Sequence, residues 1–327
     1  MVRLSLAIGP YPHAAALRDG TVSVPGADFD LTTARPAEIF WRMIRGKEFD
    51  VSEMSLSAYT VLLSRGDTSF VGLPVFPSRI FRHSFIYVKD PSAIRVPEDL
   101  RGARIGVPEY HMTAALFIRG LLSDDHGIGA ADVAWVQGGQ DTPGRIERIE
   151  LDLPASVTLE RVQDRALVDM LVAGEIDALA SAAVPRAFAD GTLPIRRLFP
   201  NARETEIDWY RRTGVFPIMH LIVIRREVHE QHPWLAVRLC EAFSEAKARY
   251  YEALEESAFG LSPLPLSVHD LEFTWETFGR DFLPYGVTRN APTLNSALRY
   301  STEQFLSARP VKLDELFLPE TLPVFDA

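Results

Sequence analysis

Only one of the 327 residues is cysteine, Cys240, so the chain can close no internal disulfide. Nothing around it has metal-ligand spacing, and in its apolar helical setting it is expected to be a small core residue. No apolar run approaches the roughly 18 to 20 residues of a transmembrane helix. The first ten residues have too short an apolar stretch for a signal peptide and no small-residue cleavage site. Taken as the native start, they predict a soluble, cytoplasmic protein with no membrane partner. Lys and Arg number 34 against 44 Asp and Glu, for a net charge of -10. The basic residues are scattered, which speaks against nucleic acid and against an acidic membrane surface. Gly-x-Gly-x-x-Gly, the P-loop and His-Glu-x-x-His are all missing, so dinucleotide, nucleotide and zincin chemistry lack support. There is no repeat and no low-complexity tract.

What is present is globular, with 47% hydrophobic and 24% charged residues. The length exceeds one ordinary core, since single cores stop growing at roughly 250 to 300 residues, and predicts two lobes with a cleft between them. Strand and helix patterns alternate from residues 2–8 onward, an α/β order throughout. Residues 84–88 resemble a central strand, and we place the outward crossing near Asp90. A helix is expected at 113–122, another at 165–173, a strand at 177–180 and a long helix at 233–251. The apolar run 217–224 is the expected return crossing. Lobe I is then 1–89 with 218–327, and lobe II is 90–217. In open α/β lobes ligands sit at the carboxyl ends of strands, which selects loops 10–14, 52–57, 77–83, 108–114 and 180–185.

Within these loops, Arg79, Arg82 and His83 fall inside six residues just before a predicted buried strand, where charge is costly without partners. An anionic ligand is a natural partner. In an extended chain Arg79 and His83 share one side and Arg82 takes the other. Thr113 stands where it could cap a helix whose first amides would hold a carboxylate, with Tyr110 and His111 beside it. Ser55 and Ser57 lie at another helix start, where they would cap or donate to a ligand, and neither has the setting of a nucleophile elbow. His220, alone in an apolar strand, would by itself be a core residue. Arg211 and Arg212 are solvated charges or a second carboxylate clamp, Arg212 being preferred. His126, His229, His232 and His269 are expected at the surface.

Five segments, spread over most of the chain in one order, resemble the 4,5-dihydroxyphthalate decarboxylase family. They are Glu38-Ile39-Phe40-Trp41-Arg42-Met43, Phe49-Asp50-Val51-Ser52-Glu53-Met54-Ser55-Leu56-Ser57, Phe76-Pro77-Ser78-Arg79-Ile80-Phe81-Arg82-His83, Gly106-Val107-Pro108-Glu109-Tyr110-His111-Met112-Thr113-Ala114-Ala115 and Arg212-Thr213-Gly214-Val215-Phe216-Pro217-Ile218-Met219-His220. The resemblance implies a two-lobed fold like that of type II periplasmic binding proteins, and loss of one carboxylate from a dihydroxylated aromatic diacid. It raises His220 from core residue to proton donor. His13, and His111 where a Gln often follows the Tyr, depart from the family pattern, and both imidazoles would face the cleft.

The roles then expected are proton transfer by His83 or His220, carboxylate binding by Arg79, Arg82, Arg212 and the helix at Thr113, and ring-hydroxyl contacts from Tyr110 or His111. Ser55, Ser57 and His13 complete the substrate-binding set. The partner is a small aromatic carboxylate; a homo-oligomer is left open. No cofactor is expected, and a divalent metal on His13, His83, His111 and His220 is the reserve. The rival is a solute-binding protein that uses the same cleft without chemistry.

Overall fold

The computed structural model describes residues 1–145 and 149–325. Eleven strands alternate with helices among them: β1 (Val2–Ile8), β2 (Ala27–Thr33), β3 (Val51–Ser55), β4 (Phe70–Arg79), β5 (Ile86–Lys89), β6 (Arg104–Val107), β7 (Ala134–Gly139), β8 (Thr158–Ala166), β9 (Ala178–Ala180), β10 (Ile195–Arg197) and β11 (Ile218–Arg225). The helices are α1 (Ala15–Arg18), α2 (Pro36–Gly46), α3 (Leu56–Ser64), α4 (Thr113–His126), α5 (Leu167–Ala173), α6 (Arg186–Ala189), α7 (Ala202–Thr213), α8 (Arg226–Gln231), α9 (Leu235–Glu256), α10 (Ser267–Phe278) and α11 (Ala291–Glu303).

Two sheets form two lobes, with strand orders β2-β1-β3-β11-β4 and β10-β5-β9-β6-β7-β8. In the first, β1 runs parallel to β2 and β3, whereas β11 lies antiparallel between β3 and β4. Every residue of β3 and of β4 is buried. That is the pattern of strands covered by helices on both faces, and it explains why β4 reads as a continuous apolar run over residues 70–77 rather than an alternating one. The edge strand β2 exposes much of its length.

Strand β5 corrects the expected crossing. It pairs antiparallel with β9 and β10 in the second sheet, so the chain leaves the first lobe between Arg79 and Ile86, ahead of Asp90. Its buried Ile86, Tyr87 and Val88 mark it as a central strand, but nothing local in those side chains says which sheet will take it. The return crossing reaches the first sheet at Ile218. Before it, Gly214 adopts φ 68° and closes α7, a left-handed turn that suits glycine. The helix expected from 165 begins at Leu167, because β8 runs on through Ala166. Cys240 is buried within α9. Among the described residues, no helix is long and apolar enough to cross a membrane.

Candidate active site

The carboxyl ends of β1 and β3 and the start of β11 meet at one point in the first lobe. Gly9 follows β1, Glu53 lies within β3, and His220 stands opposite Ser55 of β3 and Ser78 of β4. The pairing of β11 with β4 is irregular on both sides of His220. Such irregularities re-aim side chains and are common beside active sites.

Glu53 is fully buried, and three groups converge on its carboxylate. The Gly9 amide donates to Oε2 at 2.8 Å, and the Tyr11 hydroxyl donates to Oε1 at 2.6 Å. Nδ1 of His220 lies 2.5 Å from the same Oε1. A buried carboxylate is costly unless hydrogen-bonded, and these groups supply the bonds. Gly9 has to be glycine here: a Cβ would stand 2.7 Å from the Tyr11 ring and 3.2 Å from Glu53 Oε2. Burial and the Glu53 carboxylate push the Tyr11 phenol far above its ordinary range, which keeps it a donor. His220 remains 18% exposed, with the Phe40 ring packed edge-on at 4.8 Å. Since Nδ1 is committed to Glu53, Nε2 is the nitrogen left for a ligand.

The second lobe meets this corner at the start of α4. Thr113 Oγ1 lies 2.9 Å from Ser55 Oγ and accepts from the Ser57 amide at 3.1 Å. Ser55 is the cap of α3, its Oγ accepting from the Ala58 amide. Thr113 does not cap its own helix as expected: the cap position of α4 is Met112, with no side-chain bond. Ser57 Oγ is buried without a partner. Two residues before Thr113, His111 Nε2 lies 3.5 Å from Oε2 of the fully buried Glu109, whose Oε1 is held by Arg145. His13, in the loop after β1, is 7% exposed and packs against Tyr11.

Several expected ligand groups are engaged elsewhere. Arg79 is buried and donates to the carbonyls of Phe216 and Pro284 and to Asn290 Oδ1, so it ties the C-terminal segment to β4. His83 is enclosed edge-on by Phe199 and Trp209, and burial pushes its imidazole down to about 4, a core environment rather than a proton relay. Tyr110 packs between Trp135 and the Arg119 guanidinium, its hydroxyl buried without a partner. Arg212 forms an exposed ion pair with Asp125. These four take structural or surface positions because their partners come from distant chain. The alternation expected for an extended 79–83 does not hold, since β4 ends at Arg79 and the chain turns at 83–85.

Arg82 differs from Arg79. It is 3% exposed, and among the described residues its donors meet the Met219 sulfur and the Ala182 carbonyl, with the Glu206 charge acting on it from nearby. Burial pulls its guanidinium well below the usual value. Ala182 follows β9 and Met219 precedes His220, so this guanidinium lies at the junction of the lobes, bonded to no carboxylate. Among the described residues, no group of three or more His, Cys, Asp or Glu side chains is placed to hold a metal ion. His83, His111 and His220 each have separate surroundings. Glu53 and Tyr11, the best-formed part of the site, were not among the expected site residues. Their one signal is a carboxylate inside a short strand that runs directly into a helix.

No family model matches the chain. A 4,5-dihydroxyphthalate decarboxylase of Comamonas testosteroni is 38% identical over 325 residues, covering 99% of this chain and 98% of the relative. Another of that name, from Pseudomonas putida, is 41% identical over 211 residues, 64% of this chain and 82% of the relative. Among solved structures, the alkanesulfonate-binding protein SsuA from Xanthomonas axonopodis pv. citri superposes with a TM-score of 0.57 at 11% identity, covering 97% of this chain and 98% of that one. The desulfurization enzyme DszB does so at 0.55 and 19% identity, covering 99% and 98%. These likenesses show the fold alone, the two-lobed α/β fold of periplasmic binding proteins.

Proposed function

The chain belongs to the 4,5-dihydroxyphthalate decarboxylase family, and we propose that it removes one carboxylate of 4,5-dihydroxyphthalate as carbon dioxide, with His220 as the proton donor. The observation that carries this assignment is the Glu53–His220 pair at the carboxyl ends of the first-lobe strands. In the substrate each carboxylate has a hydroxyl para to it. Electron donation from that oxygen lets the carboxylate-bearing carbon accept a proton. The bond to the carboxylate then breaks, its electron pair restores the ring, and a dihydroxybenzoate remains. His220 gives the proton from Nε2, while Glu53 on Nδ1 fixes the ring orientation.

Arg82 and the first-turn amides of α4 are the carboxylate-binding groups of this proposal, the first because it is a buried cation whose described hydrogen bonds go to a sulfur and a carbonyl, the second because a helix N-terminus favours negative charge. His111 stands on the second-lobe side toward a ring hydroxyl. Closed lobes, joined at Ser55 and Thr113, would exclude water from the reacting carbon.

Carbon dioxide release from 4,5-dihydroxyphthalate, measured with and without chelator, tests the assignment. Wild type should turn over in both conditions. His220→Gln should still bind the diacid in calorimetry but lose turnover by roughly a hundredfold or more, because a proton donor acts mainly in the transition state. If aromatic acids bind and none is decarboxylated, a solute-binding protein takes the enzyme's place.

A further inference from the structure

The turn that follows β1 grips Glu53 from outside its own strand. Gly9 and Tyr11 lie two residues apart and donate to different oxygens of the carboxylate, the Gly9 amide to Oε2 at 2.8 Å and the Tyr11 hydroxyl to Oε1 at 2.6 Å. The turn is held for local reasons. Pro12 restricts Tyr11 to extended backbone, where it lies at φ -69° and ψ 132°, and the Tyr11 amide closes onto the Gly9 carbonyl at 2.8 Å. Arg18, at the end of α1, donates to the carbonyls of Gly9 and Tyr11 at 3.3 and 2.9 Å. One guanidinium thus fastens both residues that hold Glu53.

The proton-transfer step depends on where Glu53 puts Oε1, because His220 Nδ1 is bound to that same oxygen at 2.5 Å. The last torsion of a glutamate side chain is broad, and the Gly9 amide fixes only Oε2. Tyr11 supplies the second fixed point. Its hydroxyl stands 3.2 Å from Nδ1 as well, so the phenol oxygen, the carboxylate oxygen and the ring nitrogen close a triangle. Nδ1 donates to Glu53 and has no lone pair to offer, which leaves Oε1 as the acceptor for the phenol. The phenol stays a donor, since burial and the neighbouring carboxylate push it far above its ordinary range.

We propose that Tyr11 is a positioning residue that pins Glu53 Oε1 on His220 and thereby sets the direction of the nitrogen giving the proton, while Arg18 holds the turn that presents it. This rests on the decarboxylase assignment with His220 as its proton donor. Tyr11 acts through Glu53 and not on the substrate. A misplacement of about 1 Å at the reacting centre can cost roughly a hundredfold in rate, whereas carboxylates held by other groups bind as before.

A double-mutant cycle separates this role from simple support of the loop. Single-turnover carbon dioxide release and calorimetric binding of 4,5-dihydroxyphthalate would be measured on wild type, Tyr11→Phe, Glu53→Gln and the double variant. Tyr11→Phe, which removes only the hydroxyl, should slow turnover by roughly ten- to a hundredfold while diacid binding stays within about threefold. On the Glu53→Gln background the same substitution should cost less than about threefold, because the carboxylate it acts on is gone. Arg18→Met should slow turnover in the same direction, and Arg18→Lys, which keeps a donor, should recover part of the loss. Turnover of Tyr11→Phe within about threefold of wild type, an equal loss on both backgrounds, or binding lost as much as turnover would each overturn the inference and leave the decarboxylase assignment standing. Should Tyr11→Phe not fold, the arginine variants decide: wild-type turnover in Arg18→Met, or no recovery in Arg18→Lys, would overturn it. If wild type releases no carbon dioxide, or His220→Gln releases it at the wild-type rate, the reading beneath it fails and takes the inference with it.

Discussion

Replacing Glu53 by Gln removes one charge and almost no volume, and its effect can be worked out from three hydrogen bonds. The carboxylate takes the Gly9 amide on Oε2 and both the Tyr11 hydroxyl and His220 Nδ1 on Oε1. An amide has one oxygen and one NH2, and the Gly9 N–H cannot be anything but a donor. The Gln oxygen must therefore turn to Gly9, and its NH2 to Tyr11 and His220. Nδ1 then becomes an acceptor and the imidazole proton moves to Nε2, held as a neutral donor with no carboxylate behind it. Losing charge-assisted bonds should destabilise the fold by about 1.5 to 3 kcal/mol. Turnover should fall by roughly a hundred- to ten-thousandfold, the range expected when a histidine loses the carboxylate that orients it. Diacid binding should change by less than about tenfold, because Glu53 touches no carboxylate-binding group. Single-turnover carbon dioxide release beside calorimetry separates the two quantities. Turnover within about threefold of wild type would refute the role of Glu53, and equal losses in binding and turnover would move that role to ground-state binding.

The two buried arginines should respond in opposite ways. Arg79→Met leaves the acceptors at Phe216, Pro284 and Asn290 without their donor and should cost about 3 kcal/mol in denaturant titration with diacid affinity unchanged. Arg82→Met removes a buried cation that has no carboxylate partner. It should leave the melting temperature level or raise it, while diacid binding weakens by roughly ten- to a hundredfold; the reverse pattern in the two variants would exchange their roles. Acid stability supplies another check through His83, whose folded imidazole is depressed from 6.5 to about 4. The unfolded chain binds that proton more readily, so stability is complete above pH 6.5 and falls as pH drops toward 4, by about 3 kcal/mol in all. His83→Phe, between Phe199 and Trp209, should flatten that part of the profile; an unchanged slope between pH 7 and 4.5 would show that another group is responsible.

Part of the architecture was legible because a central strand appears in sequence as a nearly continuous apolar run, as β11 does. The loop rule selected 10–14 and 108–114, which hold His13 and the start of α4, and the expected crossing together with the family resemblance singled out His220. What could not be read is whatever depends on distant partners. Arg79 looks like a ligand group until Pro284 and Asn290, some two hundred positions later in the chain, fold back onto it. His83 is set apart by Phe199 and Trp209 in the same way. Glu53 escaped notice for the opposite reason: a fully buried carboxylate is rare enough that composition argues against it, and only the convergence of Gly9, Tyr11 and His220 explains it. The sheet membership of β5 was equally hidden, since its side chains fit either sheet.

The bond from the Ser57 amide to Thr113 ties secondary structure in one lobe to the position of the other. Helix α3 begins beside Ser57, and one of its first-turn donors finds its acceptor only on α4. Separating the lobes would strip that helix of a cap, a cost of about 1 kcal/mol. Hinge opening is therefore coupled to fraying of α3, and an entering carboxylate oxygen is chemically suited to replace the Thr113 hydroxyl at the same amide. Any separation of the lobes would thus carry a local helix-end transition with it, one that a bound carboxylate could reverse.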